Sequence, residues 1–429
     1  MNTLNPIYYF IVTVFLVVFT CDVSADYDWD DGGYPDRNWS TTNNWNPDGE
    51  PGLADTAYIN NGGTCDITTA NSELCYAFSL GKSIGDTGSV EMTGGYLLSS
   101  NSVYIGNGGI GTFTQSGGTN NVQDAMRVGY GSDSLGIYNL SSGVLETAGL
   151  YIGWNGKGVF NQSGGTNARN GYCTLANSAG STGIYYLGNA SSSGVYDGGN
   201  LTIGNNTLAE GILHGWGGVT NLGHFYQNGR IIADGYGTDR ALYLSYGLFH
   251  NSHENTNTVP KGFFAQNHGV VVLPKISVGM GNPVVNWGEE SGDADIDLVN
   301  SIQVSFTNVT SSGQMNVYLL ALDYEGGIES VPAPVPNPPP SAKGMWRINV
   351  TNAVFNSAEI TFRFDNSSGP PPTSLFQYTG QSWSDVTSKE TPIDWTNKLI
   401  YSIPIDSASL QSYPYFAVGR LGGTVFVVR

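Results

Sequence analysis

All five histidines of this 429-residue chain, His214, His224, His250, His253 and His268, fall between positions 214 and 268. Within that stretch His250-x-x-His253-Glu254 supplies imidazole and carboxylate groups of the kind that ligate a metal. Trp216, two residues after His214, offers a flat ring on which a sugar can stack. Without a helix to align the two imidazoles, His-x-x-His is a weak signal. The competing reading is a pair of long loops that cover one end of the chain with ordinary polar and aromatic side chains. A second constellation is Asp234, Asp239, Arg230, Arg240 and His224. Glycoside hydrolysis needs two carboxylates facing across a cleft, and nothing in the spacing makes Asp234 and Asp239 face one another. A third is Asp293, Asp295 and Asp297, whose alternation in a strand would put three carboxylates on one face and suit calcium. The EF-hand spacing fails there because Leu298 stands where glycine is needed, and solvated carboxylates at a strand end are the plainer alternative. Calcium is the cofactor this trio suggests, the alternative being that the protein carries none.

The elements that must position these groups announce themselves as a repeat. GTFTQSGGTN from Gly111 with MRVG at 126–129, GIYNLSSGVL from Gly136 with LYIG at 150–153, and GVFNQSGGTN from Gly158 with CTLA at 173–176 are copies of one phrase. Self-similarity at this period means an array whose units bury their apolar faces against one another. Alternation within each copy has period two, which is strand. Openings at Gly88, Gly111, Gly136, Gly158 and Gly183, with weaker ones at Gly63, Gly223 and Gly262, give about eight coils of a parallel β-solenoid. One inward column is expected to hold Cys65, Val90, Phe113, Tyr138, Phe160, Tyr185, Phe225 and Phe264. A second is expected to hold Phe78, Val103, Met126, Leu150, Cys173, Leu201, Leu242 and Ile276. Coils 47 positions apart share QSGGTN while the intervening one reads LSSGVL. Gln115 and Gln162 are therefore expected to donate to the turn backbone of a neighbouring coil. In this alignment residues 205–222 and 246–261 are insertions at one short turn of successive coils, and they carry His214, Trp216, His250, His253 and Glu254. Long loops on a repeat scaffold are where binding function concentrates.

The N-terminal 1–25 reads as a secretory signal, with an apolar run from about Ile7 to Phe19 and Val-Ser-Ala before a cut after Ala25. A membrane anchor is the competing reading, opposed by a run shorter than the roughly 20 residues a span needs. No later stretch is apolar enough to cross, so no membrane span is expected once the signal is removed. Residues 26–62, with Trp29, Trp39 and Trp45, are expected to cap the first open edge of the array, and 63–280 to be the solenoid. Residues 281–429 alternate as short strands and turns and are expected to form a β-sandwich, with the stiff VPAPVPNPPP at 331–340 either a loop of it or a linker. A net charge of −19 repels phosphate backbones and excludes nucleic acid as a natural partner. Cys65 and Cys75 suit a local disulfide in an oxidising compartment, the alternative being two buried thiols.

The G-x-F-x-Q-S-G-G-T coils, the W…NW…P…D entry segment and the tract NWGEESGDADIDLVNS followed by a strand-rich tail ending YFAVG resemble secreted β-solenoid proteins of planctomycete-type bacteria. Their coils are in turn similar to autotransporter passenger domains. Relatives of that kind often finish in a PEP-CTERM sorting signal, whereas this chain ends GGTVFVVR. The repeat, the export signal and the lack of a catalytic motif together imply a secreted structural or adhesive surface or matrix protein. Its expected partners are extracellular polysaccharide or cell-surface components, met through loops 205–222 and 246–261. The alternative is a polysaccharide-active β-helix lyase or glycosidase.

Overall fold

Gly111 and its counterparts start parallel strands that stack in register, Gly88 beside Gly111, then Gly136, Gly158, Gly183 and Gly211. The computed structural model describes residues 24–68, 72–206, 208–220, 224–227, 229–244, 248–250, 262–287, 300–328, 331, 333–339, 342–364 and 370–420. Nine strands, from Asn61–Ile67 to Gly262–Gln266, form the first ladder. Each coil then runs through a second and a third ladder that share one sheet. Strands such as Thr119–Val128 and Val144–Ile152 serve both, bending at an irregularity near their middles. The result is a parallel β-solenoid. Glycine opens each strand because the chain passes within contact of the preceding corner: a Cβ on Gly136 would stand 2.1 Å from the Ile105 carbonyl oxygen.

The inward column of the first ladder holds Cys65, Val90, Phe113, Tyr138, Phe160, Tyr185, Leu213, Ile231 and Phe263. The first six agree with the expected column and the end of it does not. Phe225 pairs instead with Leu201 on the third ladder. Phe263 is the buried neighbour and Phe264 faces outward, a one-residue slip that exchanges the two faces of a strand. Leu242 lies beside Gly217 on the second ladder, and Ile276 pairs antiparallel with Met315. Cys173 fills the third-ladder column between Leu150 and Leu201 as expected. Cys65 and Cys75 are free, buried thiols. They stand on different ladders, opposite Val90 and Ser99, so the suggested disulfide is not made.

Like side chains stack at the coil rise. The rings of Phe113, Tyr138 and Phe160 lie nearly parallel with centroids 5.0 and 4.9 Å apart. A buried polar network explains why alternate coils resemble one another. Gln115 donates through Nε2 to the Val144 carbonyl of the next coil at 3.0 Å, and its Oε1 accepts from the Tyr138 hydroxyl at 2.6 Å. Asn120 Nδ2 donates to the same hydroxyl at 3.1 Å. Gln162, Tyr185 and Asn167 repeat the arrangement one coil pair later, with Val195 as the carbonyl partner. Gln and Asn on one coil therefore require Tyr on the next.

Both ends of the array are covered. Trp29, Trp39 and Trp45 pack edge to face over the first coil, with centroids 5.0 and 4.9 Å apart, and Trp39 reaches Phe78. At the other end Gly269–Val272 pairs antiparallel with Gly313–Leu320, so the solenoid sheet continues into Gly344–Thr351 and Tyr415–Gly419. A second antiparallel sheet of Val284–Asn286, Ile302–Thr307, Ser357–Arg363 and Leu399–Tyr401 lies against it. Trp346, Phe362 and Phe416 fill the space between the sheets. This is the C-terminal β-sandwich. The proline-rich stretch packs onto it: Val335 lies against a separate apolar cluster that includes Tyr318, Met345 and Tyr415, and the Asn337 carbonyl accepts from Trp383. No helix among the described residues is long and apolar enough to cross a membrane.

Candidate functional site

Residues 205–222 are not an insertion. Glu210–Gly215 is a regular strand of the first ladder between Thr182–Leu187 and Arg230–Asp234, and Gly217–Thr220 and His224–Gln227 continue its coil. The signal was present in Gly211-Ile-Leu213, which repeats the spacing of Gly183-Ile-Tyr185. Of 246–261, Leu248–His250 is a further strand of the third ladder, which sets His250 on a different ladder from His214. The side chain of His250, together with His253, Glu254 and the trio Asp293, Asp295 and Asp297, lies outside the described residues. Among the described residues no group of three His, Cys, Asp or Glu side chains converges to hold a metal.

The constellation around Asp234 and Asp239 resolves into separate partnerships. His214 points outward from its strand, and its Nε2 lies 3.0 Å from Asp234 Oδ2. Asp234 is 5% exposed and also accepts from the Tyr236 backbone N–H at 2.8 Å and from the side-chain amides of Gln266 and Asn267 at 3.2 Å. Burial holds the His214 imidazole below its ordinary pKa, outweighing the opposite pull of the Asp234 charge. A neutral ring beside a carboxylate donates from Nε2, which leaves the lone pair on Nδ1. Asp239 instead faces His268 Nδ1 at 3.2 Å, and Arg230 pairs with Glu210. Arg240 stacks on Trp216 with its guanidinium carbon 4.5 Å from the ring centroid. It donates to the carbonyls of Asn189 and Ala190 at 3.0 and 2.8 Å, and Trp216 Nε1 also donates to Asn189 at 2.8 Å. Trp216 and Arg240 thus clamp the turn that follows strand Thr182–Leu187.

Two grooves flank that turn. One, of about 370 Å³, is bounded by Ser193, Trp216, Gly218, Asp239, Arg240 and Tyr243. Its floor exists because the outward column of the second ladder reads Val195, Gly218, Tyr243. Val195 and Tyr243 are each 43% exposed, and the missing side chain between them is the depression. A Cβ on Gly218 would meet only Thr220 Cγ2, at 3.6 Å, in ordinary contact, whereas one on Gly217 would strike the Gly194 carbonyl oxygen at 2.1 Å. Backbone geometry demands glycine at 217 and does not demand it at 218. The other groove, of about 440 Å³, lies on the outer face of the first ladder beside Asn139, Asn161, Tyr186, Asn189 and Tyr236.

Both volumes fall in the range of small-molecule sites. Sequence reading missed Gly218, Tyr243, Asn139, Asn161, Tyr186 and Tyr236, although the run Gly215-Trp-Gly-Gly218 already broke the alternation of apolar and polar positions. A third outward feature, the strip Tyr104, Tyr130, Trp154 and Tyr151, closes on itself. Its rings pack against one another at 4.3–6.2 Å and around Arg127, which donates to Ser102. No family model, curated protein or solved structure matches the chain.

Proposed function

We propose that this protein is a secreted, non-catalytic surface or matrix scaffold that binds extracellular polysaccharide in the groove floored by Gly218. The observation that carries the reading is that glycine. Glycine inside a strand forfeits packing and backbone entropy, and where no close backbone contact requires it, it marks a place that something else approaches. Tyr243, 43% exposed, borders the groove at one side and contributes aromatic surface there. Arg240 and Asp239 offer donors and an acceptor for hydroxyls at the other, and Arg240 is held in place by Trp216 and two carbonyls. The export signal and the capped, uninterrupted coil stack support a structural role outside the cell.

Gly218→Val is the test, because valine suits a strand and fills the floor without a clash. Affinity electrophoresis in gels containing soluble polysaccharides is expected to show retardation of the wild type and its loss in the variant, with both unfolding at closely similar temperatures. Equal retardation of the two would remove Gly218 from any site. Release of reducing ends from a polysaccharide, abolished by Asp239→Asn, would replace the binding reading with an enzymatic one.

A further inference from the structure

The second groove differs from the first in what lines it. Thr114, Asn139, Asn161, Tyr186 and His214 occupy successive outward positions of the first ladder. Asn161 Nδ2 donates to Asn139 Oδ1 at 2.8 Å, and Asn139 Nδ2 donates to Thr114 Oγ1 at 3.3 Å. The amides are therefore polarised in one direction along the coil axis. Among the described residues, none of the side chains bordering this groove is charged. Tyr236 enters from the turn after strand Arg230–Asp234 with φ of 50°, a left-handed backbone that a bulky aromatic residue rarely adopts.

Tyr236 is held there by its N–H bond to the buried Asp234, which His214, Gln266 and Asn267 fix in turn. Asn267 and His268, in the turn of the next coil, also have positive φ, 50° and 63°. Strain of this kind persists where the surroundings over-determine it, and it gathers at binding sites. The rings of Tyr186 and Tyr236 flank His214, with centroids 5.3 and 6.2 Å from the imidazole. One wall of the groove is thus aromatic and the floor is amide.

We propose that this groove is a second binding site, for a neutral pyranoside oligosaccharide. Adjacent amides supply the paired donor and acceptor that vicinal hydroxyls require, and the tyrosine rings take the C–H face of a sugar. The described bordering residues carry no charged side chain, which leaves a uronate or sulfated sugar without a counter-charge from them in a protein of net charge −19. The site stands on its own residues and does not need the Gly218 groove to be occupied.

Two substitutions empty it without threatening the fold. Tyr236→Gly relieves the positive φ, and Asn161→Thr places in the column the residue it already has at Thr114. Titration calorimetry of the full chain with cellohexaose, chitohexaose, mannohexaose and laminarihexaose, and with hexagalacturonate as the acidic comparison, separates the possibilities. At least one neutral hexasaccharide is expected to bind, with affinity falling tenfold or more in both Tyr236→Gly and Asn161→Thr and unchanged thermal unfolding. Gly218→Val/Tyr236→Gly is expected to lose what the Gly218→Val variant retains, so the two grooves are scored separately. Binding of hexagalacturonate alone, binding of none of the probes, or unchanged affinity in Tyr236→Gly would overturn the proposal.

Discussion

Replacing Tyr138 by Phe removes a single oxygen from the solenoid core and should cost far more than its size suggests. The ring is fully buried and stacked between Phe113 and Phe160, and those stacking contacts survive. What is lost is the hydroxyl that donates to Gln115 Oε1 at 2.6 Å and accepts from Asn120 Nδ2 at 3.1 Å, both from fully buried residues. Each polar group left unsatisfied in the interior costs about 1–3 kcal/mol. Some relaxation is available because Gln115 Nε2 keeps its carbonyl partners Val144 and Gly118, so a total of about 2–4 kcal/mol is expected.

The reverse substitution one coil earlier, Phe113→Tyr, is expected to destabilise as well. The preceding coil presents Met92 and Leu97 in place of Gln115 and Asn120, and a new hydroxyl would be buried without a partner. Tyr185→Phe should match Tyr138→Phe, since Gln162 and Asn167 repeat its surroundings. Urea unfolding followed by tyrosine and tryptophan fluorescence measures all three. If Tyr138→Phe lies within about 0.5 kcal/mol of wild type, the range of an ordinary surface change, or if Phe113→Tyr is neutral, the polar network is not what the alternation of coils encodes.

The pH dependence of stability follows from His214, which faces Asp234, Tyr186 and Tyr236. Its folded pKa lies below the ordinary 6.5, so the unfolded chain binds more protons in that window. The contribution is full above 6.5 and is lost as pH falls below it. The melting temperature should therefore drop on acidification from pH 7 more steeply in wild type than in His214→Gln, and equal slopes would contradict this. Burial pushes the Cys75 thiol up to about 12, and Cys65 and Cys173 are equally buried. None of the three is expected to react with iodoacetamide at pH 8 until denaturant is added, and a Cys65–Cys75 crosslinked peptide in a non-reducing digest would refute the register of the first coils.

The middle coils were legible in the sequence because each states its register several times over: an opening glycine, an aromatic residue two positions on, and a Ser-Gly-Gly or Ser-Ser-Gly corner. From Gly183 onward those markers thin out. Leu213 and Ile231 stand where Phe or Tyr had stood. Apolar-x-apolar segments such as Leu242–Leu244 suit the second ladder as well as the third, since both bury alternate residues. One missed strand, Glu210–Gly215, therefore displaced every later column and made a regular coil look like an insertion.

The candidate site suffered from the same slip. Histidines gathered in sequence were expected to gather in space, yet His214 and His250 stand on different ladders. Trp216, chosen as a stacking surface, spends one face on Arg240. The groove beside it is made by an absent side chain at Gly218, which composition and motif do not reveal. The strained Tyr236, set between Gly235 and Gly237, was open to notice only as a bulky residue in a glycine turn.

Hydrogen–deuterium exchange with and without a bound oligosaccharide reports where on the scaffold the ligand sits, and so whether the Gly218 groove holds it. Using the polysaccharide that retards the wild type most, after fragmentation to soluble oligomers, protection is expected in peptides spanning 193–195, 216–218 and 240–243, the segments that border the Gly218 groove. Protection confined to other segments, or none under saturating ligand, would contradict the assignment of this solenoid as a glycan-binding scaffold acting through that groove.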